Sequence, residues 1–325
     1  MNIMRLGVKT LVLVCLICQF AAPGWTQNYP TRPVRLLIAF SAGSGTDTIG
    51  RFIAAGLTEP LGQQVVVENR AGASGNIGAE IAAKASPDGY TLFLVNIGFA
   101  INAGMYKSLR YDLLRDFAPV TQFAKGPYVV VVHPSLPAKS LGELVKLAKS
   151  MPGKIDAASA GAGTAVLLAA ELFKRQAGIN LVMVPYRGGG EAITAVLSGE
   201  VPVYFAPLAP VLPLIQQGRL RGLAVTSAER QSMLPGYPTV AESGYPDYEF
   251  GNWYGLVVPS KTPRAIITTL HGAAIAAIKD PALSKRLNSQ GYVTVGDSPE
   301  QFAAYLKSEL AKVAQIIREH NLAPN

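Results

Sequence analysis

Apolar runs with the spacing of β-strands alternate with segments of helical spacing along most of this chain. Val34–Phe40 is a continuous apolar run, typical of a strand buried on both faces, and Thr46–Leu61 follows it with a helical pattern. The pattern repeats at Gln64–Glu68, Ser74–Ala85 and Thr91–Val95. This alternation predicts an α/β fold in which mostly parallel sheets are flanked by helices.

A second series of strands and helices indicates a second lobe. It begins at Tyr128–Val132, the strongest β-forming run of the chain, and the chain returns toward the first lobe at Gly251–Val258. We therefore predict a discontinuous first lobe, residues 28–124 and 250–325, into which a second lobe, residues 125–249, is inserted.

Hydrophobic residues make up 49% of the 325 residues, which is enough to form a hydrophobic core in each of two lobes. Two segments would cross between the lobes, near Phe123–Tyr128 and near Tyr248–Trp253. We expect these crossings to act as a hinge.

The first 27 residues predict secretion. A basic start that includes Arg5 precedes the apolar run Leu11–Ala22, which is too short to span a membrane. Small residues follow, so we expect cleavage between Gly24 and Asn28. Residues 1–27 are interpreted as a signal peptide, and the mature chain is expected in the periplasm. An uncleaved anchor is the alternative.

Cysteine content and charge exclude several kinds of site. Cys15 and Cys18 lie in the predicted signal, and neither follows the small residue expected at a lipoprotein cleavage site. The mature chain therefore has no thiol, disulfide or cysteine metal site. Two of the charges in the formal net charge of +8 leave with the signal, and the remaining +6 is scattered. Without a basic stripe and interleaved aromatic residues, nucleic acid is not an expected partner.

A glycine-rich turn, Phe40–Asp47, joins the first strand to the first helix. Such a turn presents free backbone N–H groups at the positive end of a helix dipole. Gly43 and Gly45 permit close approach of the backbone, and Thr46 is the expected helix cap. The segment predicts a binding site for a carboxylate or a phosphate.

Three further glycine-rich turns follow predicted strands: Asn69–Asn76 in the first lobe, and Ser159–Thr164 and Tyr186–Gly190 in the second. Ligands of open α/β sheets bind beyond the carboxyl ends of the strands. A ligand that contacts turns of both lobes must lie in the cleft between them.

Individual residues leave alternatives open. Asp47 has two interpretations. It either lies in the first helical turn because its negative charge interacts favourably with the helix dipole, or it contacts a ligand. Arg187 is either a solvated loop charge or a carboxylate clamp. Trp253 and Tyr254 either cover the cleft or pack beneath the hinge, and packing is favoured.

A dinucleotide site is not favoured. Gly43, Gly45 and the more distant Glu68 resemble part of the dinucleotide fingerprint, but Thr48 stands where the third glycine belongs. No cofactor is predicted.

Catalysis is also weakly supported. The three histidines, His133, His271 and His320, lie outside the glycine turns, and no G-x-S-x-G elbow or metal-ligand spacing is present. A small periplasmic enzyme acting on carboxylates and a scaffold with a vestigial cleft are the alternatives to a binding protein.

Nine segments of the chain resemble the tripartite tricarboxylate transporter substrate-binding proteins, also called the Bug family of extracytoplasmic receptors. The resemblance extends over essentially the whole mature chain. The segments are Val34–Asp47, Val67–Gly72, Gly75–Gly78, Pro87–Thr91, Gly161–Phe173, Pro185–Gly190, Arg219–Ser227, Pro238–Gly244 and Trp253–Leu256.

The resemblance implies a two-lobe Venus-flytrap fold that binds small carboxylates and delivers them to a two-subunit inner-membrane permease. It implies that main-chain amides and ordered water of Ala42–Asp47 hold a ligand carboxylate, and that Ser159–Thr164 and Tyr186–Gly190 contribute from the opposite lobe. Presentation of the ligand to a sensor is an alternative, and a monomer is the expected oligomeric state.

Three departures from the family pattern concern the cleft. Ala42 and Ser44 stand where the family often has a proline and a glycine, the stretch Ala165–Leu167 lacks the histidine often found there, and Ala206 and Pro207 replace frequent Asp or Asn residues. These changes make the second lobe less polar, so we expect a ligand with an apolar or aromatic part facing that lobe.

The glycine turns and the resemblance together give a set of predicted ligand-binding residues, with no catalytic residue and no metal ligand. The set is Phe40, Ala42, Gly43, Ser44, Gly45, Thr46, Asp47, Asn96, Gly98, Ser159, Gly163, Thr164, Tyr186, Arg187, Gly189 and Ala206.

Overall fold

The computed structural model describes residues 29–161 and 164–319. The predicted signal peptide, residues 1–27, and the predicted ligand-binding residue Gly163 lie outside the described residues. No helix of the described part of the chain combines the length and the apolar character needed to cross a membrane.

Within residues 29–161 and 164–319, ten strands form the sheets. They are β1 Val34–Ile38, β2 Val65–Asn69, β3 Thr91–Asn96, β4 Phe117–Val132, β5 Asp156–Ser159, β6 Val182–Pro185, β7 Val203–Pro207, β8 Arg221–Val225, β9 Gly251–Pro259 and β10 Val293–Thr294.

Ten α-helices of the described part of the chain pack against these sheets. They are α1 Gly45–Leu61, α2 Asn76–Ala83, α3 Ile97–Met105, α4 Leu141–Ser150, α5 Ala165–Ala177, α6 Gly189–Ser198, α7 Leu208–Gln216, α8 Arg264–Lys279, α9 Pro281–Ser289 and α10 Pro299–Glu319. A short 3-10 turn, Ala73–Gly75, precedes α2.

The strands form two mixed sheets, and the α/β class is confirmed. In the first sheet β1 pairs parallel with β2 and β3, and β9 then pairs antiparallel with β3 and β4. In the second sheet β5 pairs parallel with β6 and β7, while β4 pairs antiparallel with β7 and β8. The parallel pairs lie among the strands of the predicted strand–turn–helix units, and each antiparallel pair includes β4 or β9.

Strand β4 belongs to both sheets and joins them. Its first part pairs with β9 from Phe117 opposite Pro259 to Pro127 opposite Gly251, and its last part, from Tyr128, pairs with β7. The two predicted crossings therefore lie side by side as hydrogen-bonded strands. The lobe boundaries at residues 124/125 and 249/250 remain predictions.

Three structural elements were missing from the sequence prediction: α3, the first half of β4 and the two-residue strand β10. Helix α3 directly follows β3 and its first six residues are all buried, so it lacks the polar face that marks an amphipathic helix. The first half of β4 contains Pro119, and its pairing with β9 shifts register twice, which breaks the alternation expected of a strand.

A close contact between β9 and α10 requires a glycine. A Cβ atom at Gly255 would overlap the ring of Phe302, which is fully buried under the first sheet. Gly255 pairs with Val95 of β3 and Gln122 of β4, so the strand is held from both sides and has little freedom to move away.

We predict that Gly255→Ala lowers the free energy of unfolding by about 1–3 kcal/mol, because overpacking forces side chains out of their rotamers. Gly272→Ala is the matched control, since Gly272 lies on α8 with nothing within 4 Å of an added Cβ. This control should be neutral or stabilising, by up to about 1 kcal/mol. Chemical denaturation of both variants measures the difference, and equal stability of the two would contradict the packing described.

Candidate functional site

The carboxyl ends of the strands meet at a cavity of about 410 Å³. All four predicted glycine turns contribute lining residues. These are Ser41, Ser44 and Gly45 after β1, Ala71–Gly75 after β2, Ala160, Gly161 and Thr164 after β5, and Tyr186–Gly189 after β6. This is the position in which open α/β sheets bind ligands.

The first turn of α1 forms part of the lobe-one wall. Ser44, not the expected Thr46, is the N-cap, because its Oγ accepts a hydrogen bond of 3.2 Å from the Asp47 amide. Gly45 and Thr46 line the cavity, and their amides have no acceptor among the described residues. Two free donors at the positive end of a helix favour an anion.

Asn96 explains why Thr46 does not cap α1. The Nδ2 of Asn96 donates to Thr46 Oγ1 at 3.0 Å, and the Oδ1 of Asn96 accepts from the Gly98 amide at 2.9 Å. Asn96 is therefore the N-cap of α3 and at the same time fixes the Thr46 side chain. Asn96, Gly98 and Thr46 all line the cavity.

Asp47 holds the first glycine turn and does not line the cavity. Its carboxylate is 4% exposed and accepts hydrogen bonds from the Gly43 amide at 2.9 Å, Arg51 Nε at 3.0 Å and Asn69 Nδ2 at 2.9 Å. Burial by itself raises the pKa of the Asp47 carboxyl, but these hydrogen bonds and the Arg51 charge lower it below its ordinary value of 3.8.

The wall contributed by the second lobe contains two more helix N-termini. Thr164 caps α5, because its Oγ1 accepts from the Leu167 amide at 3.4 Å, and Ala165 and Val166 of this helix line the cavity. Gly188 and Gly189 begin α6 without a side-chain cap and also line the cavity.

The two walls approach each other closely. A Cβ atom at Gly188 would lie 3.9 Å from Ser41 Oγ on the opposite side, and a Cβ atom at Gly45 would lie 3.6 Å from Pro207 Cβ. The structure therefore represents a state in which the cleft is nearly closed.

The predicted residues separate into two groups. Those that line the cavity are Phe40, Ser44, Gly45, Thr46, Asn96, Gly98, Thr164, Tyr186, Arg187 and Gly189. Those that are described but do not line it are Ala42, Gly43, Asp47, Ser159 and Ala206.

The structure explains why the second group of predicted residues does not line the cavity. Ala42 and Gly43 lie on the exposed outer side of the turn, and the Gly43 amide points to Asp47. Ser159 Oγ accepts from the Gly161 amide at 3.4 Å within its own turn. Ala206 is fully buried in β7, opposite Val129 of β4.

Several lining residues were not predicted from the sequence. Tyr128, Tyr204, Asn252 and Tyr254 lie on strands β4, β7 and β9, and all four are buried. Tyr254 was considered from the sequence, but packing was favoured for it. Tyr128 and Tyr204 were not singled out, because aromatic residues in apolar strands have the same sequence pattern whether they fill a core or face a cavity.

Trp253 is packed in the interior and does not line the cavity, in agreement with the packing favoured from the sequence. It is 2% exposed, its Nε1 donates to Glu309 Oε2 at 3.2 Å, and its ring contacts Phe302 edge-on. Tyr254, in contrast, lines the cavity and accepts from Asn252 Nδ2 at 2.9 Å.

The lining has an unusual distribution of charge. Among the described lining residues Arg187 is the single charged side chain, and no aspartate, glutamate, histidine or cysteine is present. The N-termini of α1, α3, α5 and α6 all contribute lining residues. The cavity is therefore electropositive and has no carboxylate that would repel an anion.

The described histidines lie away from the cavity. His133 Nδ1 is 2.7 Å from Ser135 Oγ, and His271 Nε2 is 3.0 Å from the carbonyl oxygen of Asp297. In the described ranges, no group of three or more His, Cys, Asp or Glu residues is placed to hold a metal ion.

Comparison with known proteins identifies the family. The family described as tripartite tricarboxylate transporter family receptor matches residues 49–322. The chain belongs to this family. The resemblance found in the sequence is thereby confirmed.

Individual relatives of this receptor match over nearly their whole length. BugT of Bordetella pertussis is 34% identical over 321 residues, which cover 98% of this chain and 98% of BugT. The structure of R. palustris Rpa4515 with adipate has a TM-score of 0.88 at 34% identity and covers 91% of this chain and 100% of that one. The periplasmic binding protein BugD has a TM-score of 0.86 at 31% identity, with coverage of 91% and 100%. These likenesses confirm the two-lobe architecture of the receptor.

We predict that Asp47→Ala lowers the free energy of unfolding of the receptor near neutral pH by about 1–3 kcal/mol, because buried donors lose their acceptor. A carboxyl with a depressed folded pKa stabilises the protein above its unfolded pKa of about 3.8, and this contribution is lost as the pH falls through the lower folded value. The variant should therefore lose less stability than the wild type when the pH is lowered below about 4.

Asp247→Ala is the control, because Asp247 is exposed and outside the cavity lining. Denaturation curves at several pH values test the prediction. Parallel pH dependences for Asp47→Ala and the wild type would contradict it.

Proposed function

We propose that this protein is a periplasmic solute-binding protein that captures a small carboxylate between its two lobes and releases it unchanged. The observation that carries the proposal is the cavity lining: helix N-termini and Arg187 surround it, and no acidic side chain is among the described lining residues. The free amides of Gly45 and Thr46 are the proposed donors to the ligand carboxylate.

The second lobe supports an apolar part of the ligand. Ala160, Ala165 and Val166 line the cavity from that side and offer no polar side chain. A ligand that presents its carboxylate to α1 can bury an apolar segment against these residues. Rpa4515, a family member with 34% identity, has been solved with adipate, an acid whose centre is apolar.

The partner in this proposal is a two-subunit inner-membrane permease that receives the ligand from a monomeric receptor. Secretion follows from the predicted signal in residues 1–27, and closure and opening follow from the paired hinge strands β4 and β9. The family is described as a receptor of tripartite transporters, and this description supports a membrane partner.

An enzyme acting on carboxylates is the alternative function. It would require a general acid, a general base or a nucleophile near the ligand. The described lining residues include serine and tyrosine hydroxyls but no histidine, cysteine or carboxylate, so none of these bases is among them to activate a hydroxyl. Recovery of the ligand after incubation distinguishes the two functions, because a receptor returns it unchanged.

We predict that a panel of mono-, di- and tricarboxylates will contain at least one acid class that stabilises the chain of residues 28–325 against heat. A ligand at a concentration of 100 times its Kd adds about 2.7 kcal/mol of stability, which a thermal-shift assay detects readily. Protein that has been denatured and refolded should be used, because refolding removes ligand retained from purification. Phosphate and NAD serve as controls that carry no carboxylate.

Gly45→Leu should abolish this stabilisation. A Cβ atom at Gly45 would already lie 3.6 Å from Pro207 Cβ, so the larger side chain would fill the space between the two walls. It would also cover the amides at the start of α1. Gly272→Leu is the matched control, because Gly272 is an exposed helical glycine with open space around it. Stabilisation of the Gly45→Leu protein by the same acid, to the same extent as the control, would refute the proposed site.

A further inference from the structure

The hydroxyl of Tyr204 is buried and has no hydrogen-bond partner among the described residues. Tyr204 lies on β7, is 0% exposed and lines the cavity from the second lobe. Burial raises the pKa of this hydroxyl well above its ordinary value, so it stays protonated and is available as a donor. A buried donor without an acceptor is costly, which suggests that a ligand supplies the acceptor.

The hydroxyl lies beside the first turn of α6. A Cβ atom at Gly189 would be 3.4 Å from the hydroxyl oxygen of Tyr204. The amides of Gly189 and Gly190 have no acceptor among the described residues, and Gly188, in the N-cap position, has no side chain to accept from them. The positive end of α6 and the Tyr204 hydroxyl therefore face the same region of the cavity.

The charges around this region are compatible with an anion. Arg187 lines the cavity next to the start of α6. Glu191, the acidic residue of the first turn of α6, is exposed and accepts from the Arg187 amide at 3.1 Å, outside the cavity lining. No other acidic side chain of the described residues lines the cavity.

We propose that Tyr204, the first amides of α6 and Arg187 form a second anion subsite, and that the ligand is a dicarboxylate with an apolar centre. This inference rests on the proposed function, in which the first carboxylate binds at α1. The second carboxylate binds at α6, and the apolar centre packs against Ala165 and Val166 between the two ends. A carboxylate fits the α6 subsite better than a neutral carbonyl, because it accepts hydrogen bonds from several donors at once and pairs with Arg187.

The experiment compares linear dicarboxylates with monocarboxylates of the same chain length, from four to seven carbons, by titration calorimetry. In the wild type at least one dicarboxylate should bind at least about 10-fold more tightly than its matched monocarboxylate. Tyr204→Phe removes only the hydroxyl, and it should reduce this preference by about 5- to 50-fold, because it weakens the dicarboxylate more than the monocarboxylate. Tyr237→Phe is the control, because Tyr237 packs against Gly222 in the second lobe, outside the cavity lining.

The ligand-free proteins give a second readout. Since the Tyr204 hydroxyl lacks a partner in the described residues, Tyr204→Phe should melt at the same or a higher temperature than the wild type. A clear decrease in its melting temperature would reveal a structural partner and overturn the proposal. An unchanged dicarboxylate preference in Tyr204→Phe, or no preference in the wild type, would also overturn it. Failure of the wild type to bind any acid would instead refute the proposed function itself.

Discussion

The convergence of helix N-termini on one cavity is the constraint on which the rest of the site depends. Four helices, α1, α3, α5 and α6, begin where strands end and contribute lining residues to the cavity, so the partial positive charges of their N-termini surround a shared space. Such a space is stable without a ligand only if the donors are few and water reaches them. In a nearly closed cleft, an anion that accepts from both sides offsets the cost of burying these donors.

Polar side chains in this site organise the backbone, and the backbone presents the donors. Ser44 and Thr164 cap helices, Asn96 fixes Thr46, and the carboxylate of Asp47 is fully occupied by the turn that it holds. Asp47 is thus directed away from the cleft. The sequence had left open that it contacts a cationic group of the ligand. This arrangement keeps negative charge out of the cavity while preserving the shape of the glycine turn.

The sequence predicted the fold class, the family and the four glycine turns, because strand–turn–helix units have a local pattern. It did not predict α3, which is buried on nearly every side, or the lining residue Tyr204, which resembles a core residue of β7. The prediction of Thr46 as the N-cap of α1 was also wrong, because Ser44 and Thr46 are equally suitable by residue type. The choice depends on Asn96, which is 50 residues away in the chain and reaches Thr46 only in the folded protein.

The most direct test of the account is amide hydrogen exchange of the mature chain, with and without the acid that stabilises it most. The account requires that the ligand is held from both lobes, so exchange at the first turns of α1 and α6 should slow together when the acid is added. Protection of α1 alone would mean that the second lobe does not hold the ligand. Stabilisation without protection at either turn would contradict the central claim that helix N-termini bind the carboxylate.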